Sequence, residues 1–246
     1  MVLYRDLGFI SQDQYELIES KCKGHGQDLP DDCIKLMDEV DDLIDGFNIY
    51  DAFKPCYENN NVDGKKMTMK EMRRLALRIK RKPTDKLTWA PPCVDSFGVD
   101  QLLNDKENRK AMGIPEKVID YSMCNADDDF DYARSTTGSY WVYQKLIPLN
   151  KYKIVKYSGD ADPAVPYSGT IAWIEKIRNE LRLSTEEYWR AWYTTTKNGR
   201  QNSGKVWTLS NNFKLVTFKG VGHMAPQFNY EGGYKMINNM LHGDAL

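Results

Sequence analysis

From residue 151 onward the sequence runs twice through one unit: a short apolar run, a glycine-bearing loop carrying an ionisable residue, and a helical stretch. Tyr152 to Tyr157 reads as a strand that ends in Ser158-Gly159-Asp160-Ala161-Asp162. Thr170 to Leu181 follows as a helix, with Ile171, Trp173, Ile174 and Ile177 on it. Lys205 to Leu209 and Phe213 to Phe218 read as two strands, with Asn211-Asn212 as a hairpin turn. The second strand runs into Gly220-Val221-Gly222-His223, and a last helix covers about Glu231 to Leu241. This alternation predicts the edge of an α/β sheet, where reactive groups gather at the carboxyl ends of the strands.

The front of the chain reads as mostly helical. Residues 11 to 22 form a helix that Ser11 or a neighbour can cap, with Tyr15, Leu17 and Ile18 on one side. A polar loop, Lys23 to Pro30, separates it from a second helix over 31 to 46, stopped by Gly46. That helix is rich in aspartate, but Leu43 stands where a calcium loop needs an oxygen ligand, so it reads as a solvated face. Asn48 to Cys56 is short, aromatic and reads as extended. A basic stretch then runs to about Lys86; Met72, Leu75, Leu77 and Ile79 interrupt it and no aromatic platform accompanies it, so it reads as an exposed insertion. Asn104 to Met112 and Tyr140 to Ile147 read as two further helices.

Composition removes several classes of function. With 246 residues, 41% apolar and 28% charged, the chain is long enough to bury a core without help from metals or disulfides. Its 34 basic and 35 acidic residues leave a net charge of −1, which gives no footprint for nucleic acid or an anionic membrane. No apolar run reaches the roughly 18 residues of a membrane span, and the first residues lack the apolar core of a signal peptide.

The two loops carry the chemistry. Gly159 permits a tight turn before Asp162, and Pro163 and Pro166 stiffen the chain beyond it, so the loop can hold a carboxylate still. His223 lies just past a strand end, between Gly220 and Gly222 on one side and Pro226 on the other. Acid then histidine, at strand ends of such a sheet, is the order of the last two members of an α/β-hydrolase triad. There the histidine moves the nucleophile's proton and the carboxylate fixes its tautomer. The same residues also fit a plainer reading, in which Asp162 is a turn residue and His223 a capping one. The pattern alone does not separate the two.

Tyr157-Ser158-Gly159-Asp160-Ala161-Asp162-Pro163-Ala164-Val165-Pro166 resembles the acid motif of the serine carboxypeptidases, and Gly222-His223-Met224-Ala225-Pro226 resembles their histidine motif. Trp173, Trp192-Tyr193, Lys214 to Gly220 and Met236 to Gly243 continue the likeness. The front half shares it through Leu7-Gly8-Phe9-Ile10-Ser11, Asn48 to Cys56, and Gly98-Val99-Asp100 to Met112; residues 71 to 86 depart from it most. The resemblance implies that Asp162 and His223 are catalytic, while Asp160 fixes the loop by local hydrogen bonds. It places Met224 at the pocket for the departing C-terminal residue, and Ala164 and Val165 on the acyl side. It implies an α/β fold in which residues 1–95 are a helical cap with a basic variable segment. Residues 96–246 would then be the C-terminal half of the α/β-hydrolase core.

No Gly-x-Ser-x-Gly occurs in the sequence. The resemblance therefore implies a fragment: the nucleophile-bearing N-terminal half is absent, required as a partner, and this chain alone is inactive. The five cysteines lack zinc spacing. By resemblance Cys22 pairs with Cys33 and Cys56 with Cys93, while Cys124 is left unpaired because its partner belongs to the absent half. Disulfides imply an oxidising compartment, so the full-length protein is expected in the lysosome or vacuole, or outside the cell. The expected activity is a serine carboxypeptidase acting on peptide or protein C-termini, with no cofactor, metal, nucleic-acid or membrane partner. An acyltransferase on the same fold and a non-catalytic scaffold are the rivals.

Overall fold

The computed structural model describes residues 1–24, 29–56, 93, 97–121, 138–243 and 246. The basic stretch and Cys124 lie outside them. A short helix α1 (Val2–Asp6) opens the chain. Beyond it the chain divides into two compact units. The first is built from Arg5–Asn48 and Pro55–Ala133, and the second chiefly from Ile49–Lys54 and Arg134–Leu246.

Among the described residues, the regular elements of the first unit that span several residues are helices. Helix α2 (Gln12–Cys22) starts on a reciprocal cap: Ser11 Oγ accepts the Gln14 N–H at 3.1 Å, and Gln14 Oε1 accepts the Ser11 N–H at 2.9 Å. Helix α3 (Asp31–Leu43) follows Pro30 and puts Asp31 and Asp32 in its first turn, where the helix dipole favours negative charge. It stops earlier than the sequence predicts; Gly46 beyond it adopts φ 80°, which suits a residue without Cβ. A Cys22–Cys33 disulfide and a 3.2 Å Lys21–Asp32 ion pair join the two helices, and a second disulfide links Cys56 to Cys93.

The helix expected over 104–112 is in fact two, α4 (Phe97–Asn104) and α5 (Lys106–Ala111). Asp105 separates them because its carboxylate accepts the Asn108 N–H at 2.9 Å and caps α5 instead of continuing α4. Arg109 on α5 then donates to the Val118 carbonyl at 2.6 Å, and Asn104 exchanges two hydrogen bonds with the backbone of Tyr121.

The second unit is a four-stranded mixed sheet in the order β1-β4-β3-β2, with helices on both faces. Strands β1 (Ile154–Gly159) and β4 (Phe213–Phe218) run parallel, Ile154 opposite Phe213 and Gly159 opposite Phe218. β3 (Gly199–Leu209) pairs antiparallel with both β4 and β2 (Thr185–Thr196). Asn211 and Asn212 turn the chain between β3 and β4 at φ 61° and 58°, a left-handed conformation asparagine tolerates.

Period-two alternation assigns the residues to faces. Phe213 and Leu215 of β4, with Trp207 and Leu209 of β3, pack with Ile174 and Ile177 of helix α7 (Tyr167–Glu180) on one face. Val216 and Phe218, with Val206 and Trp192, pack with Ala225 and Met236 on the other, where α8 (Ala225–Phe228) and α9 (Tyr230–His242) lie. Each fully buried large side chain contributes about 1.5–3 kcal/mol, so these two clusters drive the three-layer arrangement. Helix α6 (Tyr140–Leu146) is tied to α7 through Glu180, which accepts from the Tyr140 hydroxyl at 2.7 Å and from Gln144 at 2.9 Å. Burial and that carboxylate push the Tyr140 phenol up to about 12, so it remains a donor.

Candidate active site

Because β1 and β4 are adjacent and parallel, the loops that leave them emerge side by side at the same end of the sheet. The loops are stitched together by backbone: Asp160 N–H donates to the Phe218 carbonyl and Ala161 N–H to the Val221 carbonyl, both at 3.0 Å. Such an approach needs glycine. A Cβ on Gly159 would lie 2.2 Å from the Val221 and Gly222 oxygens.

A third segment, Ile49–Lys54, lies against both loops. Ala52 N–H donates to the Ala161 carbonyl at 2.9 Å, Ala164 N–H to the Ile49 carbonyl at 2.9 Å, and His223 N–H to the Tyr50 carbonyl at 2.6 Å. The segment is a series of turns rather than the extended stretch its sequence predicts. Asp51, which turns it, accepts the Phe53 N–H at 3.0 Å and the Gly222 N–H at 3.1 Å.

Asp162 is 4% exposed. Its Oδ1 accepts the N–H groups of Ala164 and Val165 at 2.9 and 3.1 Å, and its Oδ2 lies 2.9 Å from Nδ1 of His223. The structure thus brings together the two residues that the sequence singles out. With Nδ1 directed at a carboxylate that can only accept, the neutral imidazole carries its proton on Nδ1 and leaves Nε2 bare as an acceptor. The His223 side chain is 41% exposed, so Nε2 can be reached. The Tyr50 ring flanks the imidazole, with centroids 5.5 Å apart.

Asp160 accepts the Gly220 N–H at 2.6 Å. Burial pushes its carboxyl up from the ordinary value and nearby Asp51 adds to this, while the Gly220 N–H and Lys219 oppose it. Three aspartates therefore hold the Gly220–His223 loop: Asp160 at Gly220, Asp51 at Gly222 and Asp162 at the imidazole.

Met224 directly follows the histidine, half-buried, and its carbonyl accepts the Gln227 and Phe228 N–H groups that start α8. Ala164 and Val165 are exposed on the acid loop. Sequence reasoning misses Asp51. The available signal is an acid set among Ile49, Tyr50, Ala52 and Phe53, where a solvated carboxylate has no reason to sit. Among the described residues no group of three or more His, Cys, Asp and Glu could hold a metal ion, and no helix is long and apolar enough to cross a membrane.

Residues 3–243 match the family described as serine carboxypeptidase. The chain is 27% identical to the lysosomal protective protein of Mus musculus over 91% of its own length and 49% of that protein's. It is 24% identical to serine carboxypeptidase-like 20 of Arabidopsis thaliana, with 98% of this chain and 52% of that one covered. It is 25% identical to serine carboxypeptidase 1 of Hordeum vulgare, with the same two shares, 98% and 52%. The chain spans about half the length of the curated relatives it matches.

Proposed function

This chain belongs to the serine carboxypeptidase family, and from that premise we propose that Asp162 and His223 are the acid and base of a serine-type carboxypeptidase. The observation that carries the reading is the 2.9 Å contact between a buried carboxylate and an accessible imidazole at adjacent strand ends. The nucleophile comes from outside these 246 residues, since no Gly-x-Ser-x-Gly lies within them.

In the proposed reaction, the serine hydroxyl passes its proton to Nε2 of His223 as its oxygen attacks the C-terminal peptide carbonyl. Asp162 holds the Nδ1–H tautomer and stabilises the imidazolium. The C–N bond then breaks, the amine of the departing residue takes the proton from His223, and an acyl-enzyme remains. Water attacks that ester by the same proton path and releases the shortened peptide. Met224, next to the histidine, would meet the departing residue; its flexible thioether suits apolar side chains. Ala164 and Val165 would line the acyl side. No metal or cofactor takes part in this scheme. We place the full-length protein in an oxidising compartment, the lysosome, the vacuole or the exterior, because disulfides persist there. One relative is named a lysosomal protective protein.

The purified 246-residue chain, treated with a fluorophosphonate and analysed by mass spectrometry, should show no adduct. A complete polypeptide containing this sequence should be labelled on one serine and should release the last residue of a blocked dipeptide. An adduct on a serine of this chain, or a complete protein that neither labels nor cleaves, would overturn the proposal.

A further inference from the structure

Asp162 fixes the rotation of the His223 ring but not the backbone from which the ring projects. That backbone is held from the other side. The Gly222 N–H goes to Asp51 Oδ2, 171 residues away, and the next N–H, that of His223, goes to the Tyr50 carbonyl. Gly222 itself has no space to move toward this segment: a Cβ there would lie 1.8 Å from the Tyr50 oxygen. Asp51 is 0% exposed, and its second oxygen is bonded to the Phe53 N–H, which closes the turn presenting the Tyr50 carbonyl.

We infer that Asp51 is a positioning residue for His223: its carboxylate bridges the N–H groups of Gly222 and Phe53 and thereby sets where the imidazole stands relative to Asp162. The inference rests on the reading of His223 as general base. It also accounts for the residue type. Two N–H donors require two acceptor oxygens. Asparagine offers one oxygen and one NH2, so either orientation of its amide sets N–H against N–H at one of the two contacts. Buried as this group is, the mismatch cannot be relieved by water. At Asp160, by contrast, the contact to the Gly220 N–H can be served by an amide oxygen.

The test is the tautomer of His223 in the 246-residue chain, read by long-range 1H–15N correlation above the titration of the imidazole. The chain has three histidines, so His223→Gln identifies the signal. Wild type should show a single fixed Nδ1–H tautomer. Asp51→Asn should shift the ring toward the averaged, mainly Nε2–H pattern of free imidazole, whereas Asp160→Asn should leave it fixed. An Asp51→Asn variant that is folded by circular dichroism and keeps the wild-type pattern would overturn the inference, because the Tyr50 carbonyl alone would then suffice. If Asp51→Asn does not fold, the Gly222 amide of wild type decides: protection from hydrogen exchange of at least ~100-fold is expected, and exchange at the unprotected rate overturns it. Neither readout depends on turnover, so a complete protein without serine-type activity would defeat the functional reading and leave this one standing.

Discussion

The Asp162 carboxylate divides its two oxygens between loop and ring: Oδ1 holds the N–H groups of Ala164 and Val165, and Oδ2 faces Nδ1 of His223 at 2.9 Å. Loop rigidity and imidazole orientation therefore depend on one buried side chain. Asp162→Asn can keep Oδ1 on the loop but presents an NH2 to Nδ1, which forces the proton to Nε2, the atom that accepts from the nucleophile in the proposed reaction. On that proposal, kcat of the complete protein for release of the C-terminal residue should fall about 10^4-fold, the size of the effect of this change in a serine-protease triad, with KM little altered. A loss below tenfold in the same assay would mean that His223 does not act through Asp162.

The contact of the two loops with each other and with Ile49–Lys54 makes a sharp distinction among glycines. Gly159→Ala and Gly222→Ala would drive a methyl into backbone oxygens at 2.2 and 1.8 Å, and backbone fixed by several hydrogen bonds cannot withdraw cheaply. Each should destabilise the second unit by about 3 kcal/mol. Gly220→Ala meets open space and strains only its φ of 69°, so it should cost about 1 kcal/mol. Urea unfolding followed by tryptophan fluorescence ranks the three; equal costs would contradict the close approach.

Much of the second unit is legible in the sequence because its signals are local. The short, mostly apolar run Phe213–Phe218, paired asparagines and a glycine-flanked histidine each act over a few residues, and the structure places β4, the turn and the loop there. Strand β2 is not legible in Thr185–Thr196, because Trp189 sits at φ 56° and the register shifts between Glu187 and Arg190; a bulge breaks the alternation on which strand reading depends. Asp51 is only half legible. Its apolar neighbours mark it as an acid out of place, but its partner lies 171 residues away and no local pattern names it. The adjacency of Asp162 and His223 is equally non-local. The pattern alone does not reveal it and the resemblance implies it; its physical cause is the parallel pairing of β1 and β4, which puts both strand ends at one edge.

The four bridged cysteines, Cys22, Cys33, Cys56 and Cys93, all fall in the first unit. Reduction should therefore act on that unit alone. The bridges span 11 and 37 residues, and loop-closure entropy assigns them about 3 and about 4 kcal/mol. Differential scanning calorimetry with and without dithiothreitol should move only the transition of the first unit, and Cys56→Ser should cost more than Cys22→Ser. A shift in the transition of the second unit, followed by the tryptophans Trp192 and Trp207, would contradict this assignment.

Asp160 gives the histidine loop a pH dependence of defined sign. Its carboxyl lies above the ordinary 3.8 in the folded chain, chiefly through burial, so ionising it costs more folded than unfolded. Folding then takes up a proton in the interval between the two values. The stabilising contribution is complete below 3.8 and is lost as pH rises through the folded value. Asp32, Glu180 and Glu187 behave oppositely, since their partners Lys21, Tyr140 and Arg190 hold them low and acidification removes their contributions. The total stability curve mixes both signs, but the difference between wild type and Asp160→Asn isolates the one group. The amide keeps an acceptor for the Gly220 N–H and cannot titrate. Wild type should therefore gain on the variant as pH falls from neutral, with the gain levelling off below 3.8, the same direction in which an acidic compartment would act. Paired melting curves at intervals between pH 7 and pH 3.5 measure this difference directly. A constant offset across that range would show that Asp160 is equally free to ionise in both states, and a difference of opposite slope would show that the Gly220 N–H and Lys219 outweigh burial.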